Sequence, residues 1–181
     1  PFGVTYNPAS LSRQLEALMS REAYVIEDLN FHNGKWFSFD HYTGFSSDNK
    51  QACLNGINQA FTQAKEELQK ASLLVITWGT SWVYRYKTSG QVVCNCHKIP
   101  ADQFTRTRLS VREIVKIYSA LLPELFKYKP EIKVLFTISP IRHWKDGAHG
   151  NQLSKAALLL AADALEDEFP GKVNYFPSYE I

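Results

Sequence analysis

The densest chemistry in the chain is the stretch Ser139-Pro140-Ile141-Arg142-His143-Trp144-Lys145-Asp146-Gly147-Ala148-His149. A guanidinium such as Arg142 grips a carboxylate or phosphate through two parallel N–H donors. His143 or His149 could act as a general base, with Asp146 as the carboxylate that orients the imidazole. Solvated loop charges and a structural histidine are the competing reading. A second stretch, Trp78-Gly79-Thr80-Ser81-Trp82, closes an apolar run with a glycine and two hydroxyl residues. An oxyanion-stabilising loop needs fixed N–H donors, small side chains and a rigid strand behind them. A plain strand-to-turn transition has the same sequence. A third stretch, Cys94-Asn95-Cys96-His97-Lys98, invites a zinc reading. Structural zinc sites pair a C-x₂₋₄-C knuckle with a second one, and this chain has no second pair. A mononuclear set of Cys96, His97, His143 and His149 is the zinc arrangement left. The expectation is instead a hairpin-end loop that folds His97 and Lys98 over a pocket, with no metal and no cofactor.

These residues need elements to hold them. Asn7-Pro8-Ala9-Ser10 opens a helix with Leu11, Leu15 and Leu18 on one face, running to about Met19. From Tyr24 to Ser47 the helical period is lost, and Asn33-Gly34 marks a turn between short extended pieces rich in aromatics. Ser47 or Asp48 is placed to cap a helix over 49–70, whose Cys53, Ile57, Phe61, Ala64 and Leu68 recur at helical spacing. Leu73 to Trp78 is a continuous apolar run closed by Gly79, the pattern of a strand buried on both faces. Trp82–Tyr86 and Gln91–Cys94 around Thr88-Ser89-Gly90 read as an inserted hairpin. Ser110-x-x-Glu113 is a capping box for a helix that ends before Lys129-Pro130. Val134 to Ile138 is a second apolar strand, and a polar loop from Arg142 to Asn151 leads to a helix carrying Leu153, Ala157, Leu160, Ala161 and Leu165. Val173 to Phe176 is a third strand after the Pro170-Gly171 break.

That alternation predicts a three-layer α/β/α sandwich with a mainly parallel sheet and a small β-hairpin insertion. In such a sheet the loops at the carboxyl ends of the strands meet along one edge and build the ligand site. Residues 79–81, 139–150 and 177–179 should therefore be neighbours.

Composition narrows the function classes. With 181 residues, 45% of them hydrophobic, the chain suits one domain. A net charge of +2 gives no reason to expect nucleic acid or an anionic membrane as partner. No apolar run approaches the ~20 residues that span a bilayer. Three cysteines form no disulfide framework, which makes a reducing, cytoplasmic setting the default expectation. Pro1 in place of Met, at the head of a loop-like Pro1-Phe2-Gly3-Val4, suggests a processed or truncated start. There is no P-loop, no dinucleotide fingerprint, no H-E-x-x-H helix and no G-x-S-x-G elbow.

The chain resembles the GSCFA family, a bacterial group placed near the SGNH/GDSL-type hydrolases. The resemblance lies in Pro1-Phe2-Gly3-Val4 with Tyr6-Asn7-Pro8-Ala9-Ser10, in Ile76-Thr77-Trp78-Gly79-Thr80-Ser81-Trp82-Val83-Tyr84 and in Asn95-Cys96-His97-Lys98-Ile99-Pro100. It continues in Phe136-Thr137-Ile138-Ser139-Pro140-Ile141-Arg142-His143, Asn151-Gln152-Leu153-Ser154-Lys155-Ala156 and Tyr175-Phe176-Pro177-Ser178-Tyr179-Glu180-Ile181. It implies an SGNH-like fold with flavodoxin-like topology, and attack on acyl esters by a serine. It also implies that residues 1–181 form one domain incomplete at both ends, with the nucleophilic serine before Pro1 and the catalytic histidine after Ile181. By analogy Gly3 and Thr80 supply the oxyanion hole. Gly79, Ser81, Asn95, His97, Arg142, His143 and Asp146 line the substrate pocket. Where SGNH hydrolases carry Gly-x-Asn-Asp, this chain has Thr80 or Ser81 for Asn, so a third donor falls to a backbone N–H, to Asn95 or to His97. The implied ligand is a small-molecule or carbohydrate acyl ester. A carbohydrate- or acyl-binding module that has lost catalysis is the alternative.

Overall fold

A computed structural model describes residues 2–181, so Pro1 of the leading motif lies outside it. Helix α1 spans Pro8–Ser20. Asn7 caps it by accepting the Ser10 N–H at 2.8 Å, and Pro8 fills the first position, where no N–H is needed. Strands β1 (Asn30–His32) and β2 (Lys35–Phe37) pair antiparallel across the Asn33-Gly34 turn. Both turn residues have positive φ, 49° and 75°, as a tight hairpin requires. Helix α2 covers Lys50–Lys70. Its cap is Asn49, which accepts the Ala52 N–H at 2.9 Å, rather than Ser47 or Asp48. Ser47 is held elsewhere, exchanging backbone hydrogen bonds with Trp36 at 2.7 and 3.1 Å.

Strand β3 (Leu73–Trp78) leads into the insertion, formed by β4 (Trp82–Tyr86), β5 (Val92–Val93) and β6 (Phe104–Arg108). The insertion is a three-stranded antiparallel sheet in the order β5-β4-β6, one strand larger than the expected hairpin. Helix α3 (Val111–Tyr128) begins at the expected capping box: Ser110 Oγ accepts the Glu113 N–H at 3.2 Å, and Glu113 accepts the Ser110 N–H at 2.8 Å. Strand β7 is Lys133–Ile138, helix α4 is Gly147–Glu168 and β8 is Val173–Phe176. Helix α4 starts earlier than its apolar period suggests, which places Asn151 inside it.

Strands β3, β7 and β8 form a parallel sheet in that order, with Trp78 opposite Ile138 and Phe136 opposite Tyr175. Its inner face carries Ile76, Trp78, Val134, Phe136, Ile138 and Val173, each at most 4% exposed. There Trp78 meets Tyr118 of α3: the rings lie 5.0 Å apart and the indole N–H donates to the Tyr118 hydroxyl at 3.1 Å. Tyr118 in turn donates to the Pro8 carbonyl at 3.2 Å, joining β3, α3 and α1. The outer face differs from the continuous burial read in the sequence. Leu73, Val75 and Phe176 are 49%, 53% and 48% exposed, and the Thr77 and Thr137 hydroxyls pair at 2.8 Å. A trough of about 810 Å³ lies among α1, α2 and the start of β3, walled by Leu15, Leu18, Ala64, Leu68, Leu74 and Gly3.

Candidate functional site

The parallel strands bring their trailing loops to one rim, and hydrogen bonds tie each loop to the end of a neighbouring strand. The Ser139 N–H donates to the Trp78 carbonyl at 2.9 Å, crossing from the end of β7 to the end of β3. Ser178, just past β8, accepts the Ile138 N–H at 3.2 Å and donates its hydroxyl to the Ile138 carbonyl at 2.8 Å. Residues 79–81, 139–141 and 177–179 are thus one connected unit.

Gly79 and Thr80 both donate their N–H groups to the Tyr6 carbonyl, at 2.8 and 3.0 Å. A Cβ at Gly79 would lie 3.3 Å from the Tyr6 oxygen, a tight contact that Tyr6 would have to relieve by shifting a few tenths of an ångström. The Thr80 hydroxyl accepts the Trp82 N–H at 3.1 Å and lies 3.2 Å from Ser154 Oγ. Ser81 is fully buried: its N–H and its hydroxyl meet Ser154 Oγ at 2.8 and 3.0 Å. Beside it, Lys155 is also fully buried, and its ammonium donates to the Gly79 carbonyl at 2.6 Å and to the Ser139 carbonyl. Burial pushes the Lys155 amine down to about 8. Neither Ser154 nor Lys155 stands out by residue type, because a lysine on a helix reads as solvated. Their signal is spacing: Asn151, Ser154, Lys155, Leu158, Ala161, Ala162 and Leu165 form the buried stripe of α4.

The remaining predicted residues divide into two places. Arg142 is exposed near the rim, and His143 is half-buried, its N–H donating to Asn151 at 3.0 Å and its ring 6.2 Å from that of Tyr6. Asp146 does not orient a histidine. Its side chain, 1% exposed, is ion-paired with Arg106, whose guanidinium lies 4.2 Å above the Trp82 ring. Asp146 therefore braces the insertion. Asn95 and His97 sit in a separate latch. Asn95 accepts the His97 N–H at 2.8 Å, the imidazole stacks on Phe37 at 4.1 Å, and its Nε2 faces the Ser38 and His41 carbonyls, each at 3.0 Å. Two carbonyls only accept, so Nε2 carries the proton and Nδ1 turns its lone pair toward Ser46 Oγ, 3.5 Å away. His97 and Lys98 take positive φ, 48° and 61°, to complete this bend. Burial pushes the His97 imidazole below its ordinary range, and the two carbonyl contacts oppose that shift. Among the described residues no three His, Cys, Asp or Glu side chains converge to hold a metal ion.

Gly3 lies against Tyr42, whose N–H binds the Phe2 carbonyl at 2.9 Å. Two residues, Val4 and Thr5, separate Gly3 from Tyr6, a reach of at most about 11 Å, which keeps Gly3 within range of the rim. Its φ is +84°, and a Cβ there would lie 2.5 Å from Tyr42 Cβ. Gly3→Ala should therefore cost about 2 kcal/mol in chemical denaturation, from backbone strain and contact together. Tyr42→Ala in the same chain should recover little of it, because the Tyr42 Cβ stays in place. A fully neutral Gly3→Ala would show that the left-handed bend is not required.

These features define a mixed α/β sandwich whose parallel strands deliver three loops to one rim. The chain belongs to the GSCFA family, whose family model matches residues 1–181. No curated protein and no solved structure matches it. Among the described residues no helix is long and apolar enough to cross a membrane.

Proposed function

We propose that this chain is the loop-bearing core of an SGNH-like serine esterase or acyltransferase domain. The serine nucleophile and the catalytic histidine would come from sequence outside residues 1–181. The observation that carries the reading is the fastening of the three strand-end loops into one rim by the Ser139–Trp78 and Ser178–Ile138 contacts. A rigid rim at the carboxyl edge of a parallel sheet suits a preorganised oxyanion site. Gly3 would donate its N–H. Thr80 would act through its hydroxyl, since its N–H is engaged by Tyr6. Arg142 and His143 would border the acyl ester of a small molecule or carbohydrate.

The test is hydrolysis of short-chain nitrophenyl esters, and transfer of their acyl group to sugar acceptors, by the full-length protein. Activity lost on replacing the serine that the resemblance places before Pro1 supports the reading; no turnover with any acyl donor overturns it. One observation favours the second reading, a glycan- or acyl-binding module without catalysis: the Gly79 and Thr80 amides are both already paired with protein. Saturable sugar binding without turnover would select that alternative.

A further inference from the structure

We propose that Lys155 is the positioning residue of the rim: its ammonium clamps the carbonyl ends of β3 and β7 and so sets the two loops that follow them. The inference rests on the ester reading only for the kinetic part of its test.

The argument begins with what the lysine lacks. A buried ammonium costs several kcal/mol in desolvation before its contacts are counted, and buried charges are ordinarily paired with opposite ones. Among the described residues no carboxylate pairs with Lys155. Its partners are two backbone carbonyls, Gly79 and Ser139, which belong to different loops and lie 60 residues apart in the chain. The Tyr179 ring, 5.7 Å from Nζ, brings the third loop to the same ammonium. A charge-assisted bond to each carbonyl fixes the orientation of the peptide unit behind it. At Gly79 that unit continues into the Thr80 N–H, which is aimed at Tyr6. Ser154, one residue earlier on α4, fixes Thr80 and Ser81 by their hydroxyls and the Ser81 N–H. Two adjacent positions of one helix thereby set most of the rim geometry. The clamp does not depend on the charge alone, because a neutral amine still has two N–H donors for two carbonyls.

Lys155→Met, Lys155→Arg and Ser154→Ala in the full-length protein separate positioning from plain stability. Amide hydrogen exchange in Lys155→Met should accelerate at 79–82 and at 139–142 together, with the helices and sheet core unchanged. Ser154→Ala should loosen 80–82 alone, and Lys155→Arg should recover part of the protection. If esters are turned over, Lys155→Met should lower kcat about 100-fold, the scale of losing one aligned oxyanion donor, with little change in KM. Faster exchange spread evenly over the whole domain, or no change at either loop, overturns the proposal. Should Lys155→Met fail to fold, the Lys155→Arg and Ser154→Ala exchange patterns decide it. If the wild type turns over no ester, the esterase reading falls while the exchange data still judge the clamp.

Discussion

Lowering the pH from 7 to 3 should remove up to about 5 kcal/mol of stability through one side chain, His41. The imidazole is 1% exposed and is enclosed by Phe2, Tyr24 and Phe45 at ring distances of 5.0, 4.8 and 5.3 Å. Among the described residues neither ring nitrogen has a hydrogen-bond partner. Burial pushes its pKa down to about 3 from an ordinary 6.5. Above pH 6.5 the ring is neutral whether the chain is folded or not, so His41 makes no pH-dependent demand. As the pH falls below 6.5 the unfolded chain takes up a proton that the folded ring refuses, and stability drains until about pH 3. Urea unfolding at pH 7, 5 and 4 measures the loss. His41→Leu should be near neutral at pH 7, because it removes two unpaired polar atoms along with the ring. At pH 4 it should be several kcal/mol more stable than the wild type. Parallel pH dependences in the two proteins would falsify the assignment.

Trp78→Ala should cost about 4 kcal/mol, or roughly 10 °C of melting temperature for a chain of this size. Trp78 is fully buried, with Phe136 4.4 Å and Tyr118 5.0 Å away, and alanine would leave a cavity too well walled to collapse. The lost indole N–H also frees the Tyr118 hydroxyl that ties α3 to Pro8. Trp78→Phe keeps most of the packing and loses the hydrogen bond, so about 1 kcal/mol is expected. Denaturant midpoints with unchanged slopes would establish both values. A Trp78→Ala variant as stable as wild type would mean that the indole is not the hub of the inner face.

Much of the architecture was legible because its signals are local. The Asn7 cap, the Ser110–Glu113 box and the Asn33-Gly34 turn each satisfy backbone groups within a few residues, and each stands where its spacing places it. Strand β6 was not legible. Phe104-Thr105-Arg106-Thr107-Arg108 is mostly polar, and it becomes a strand by pairing with Trp82–Tyr86 and by the stacking of Arg106 on Trp82. The start of α4 was hidden by Gly147 and Gly150, which carry no apolar period. At the rim, the loops were foreseen from strand order, but their internal wiring was not. Asp146 looks in sequence like a histidine's partner and is Arg106's. His97 looks like a pocket residue and closes a bend. Lys155 looks solvated and has no exposure at all. Each depends on a partner 40 to 76 residues away in the chain, a separation that no pattern of neighbours records.

The outer side of the β3-β7-β8 sheet has a further meaning. A flank carrying Leu73, Val75 and Phe176 in the open is adhesive in water, and among the described residues the outer margin of β3 has no strand partner. Strand ends and sheet flanks lie at right angles. Whatever settles broadside against this flank leaves the strand-end rim uncovered, so association through the flank and access to the three loops do not compete for the same ground.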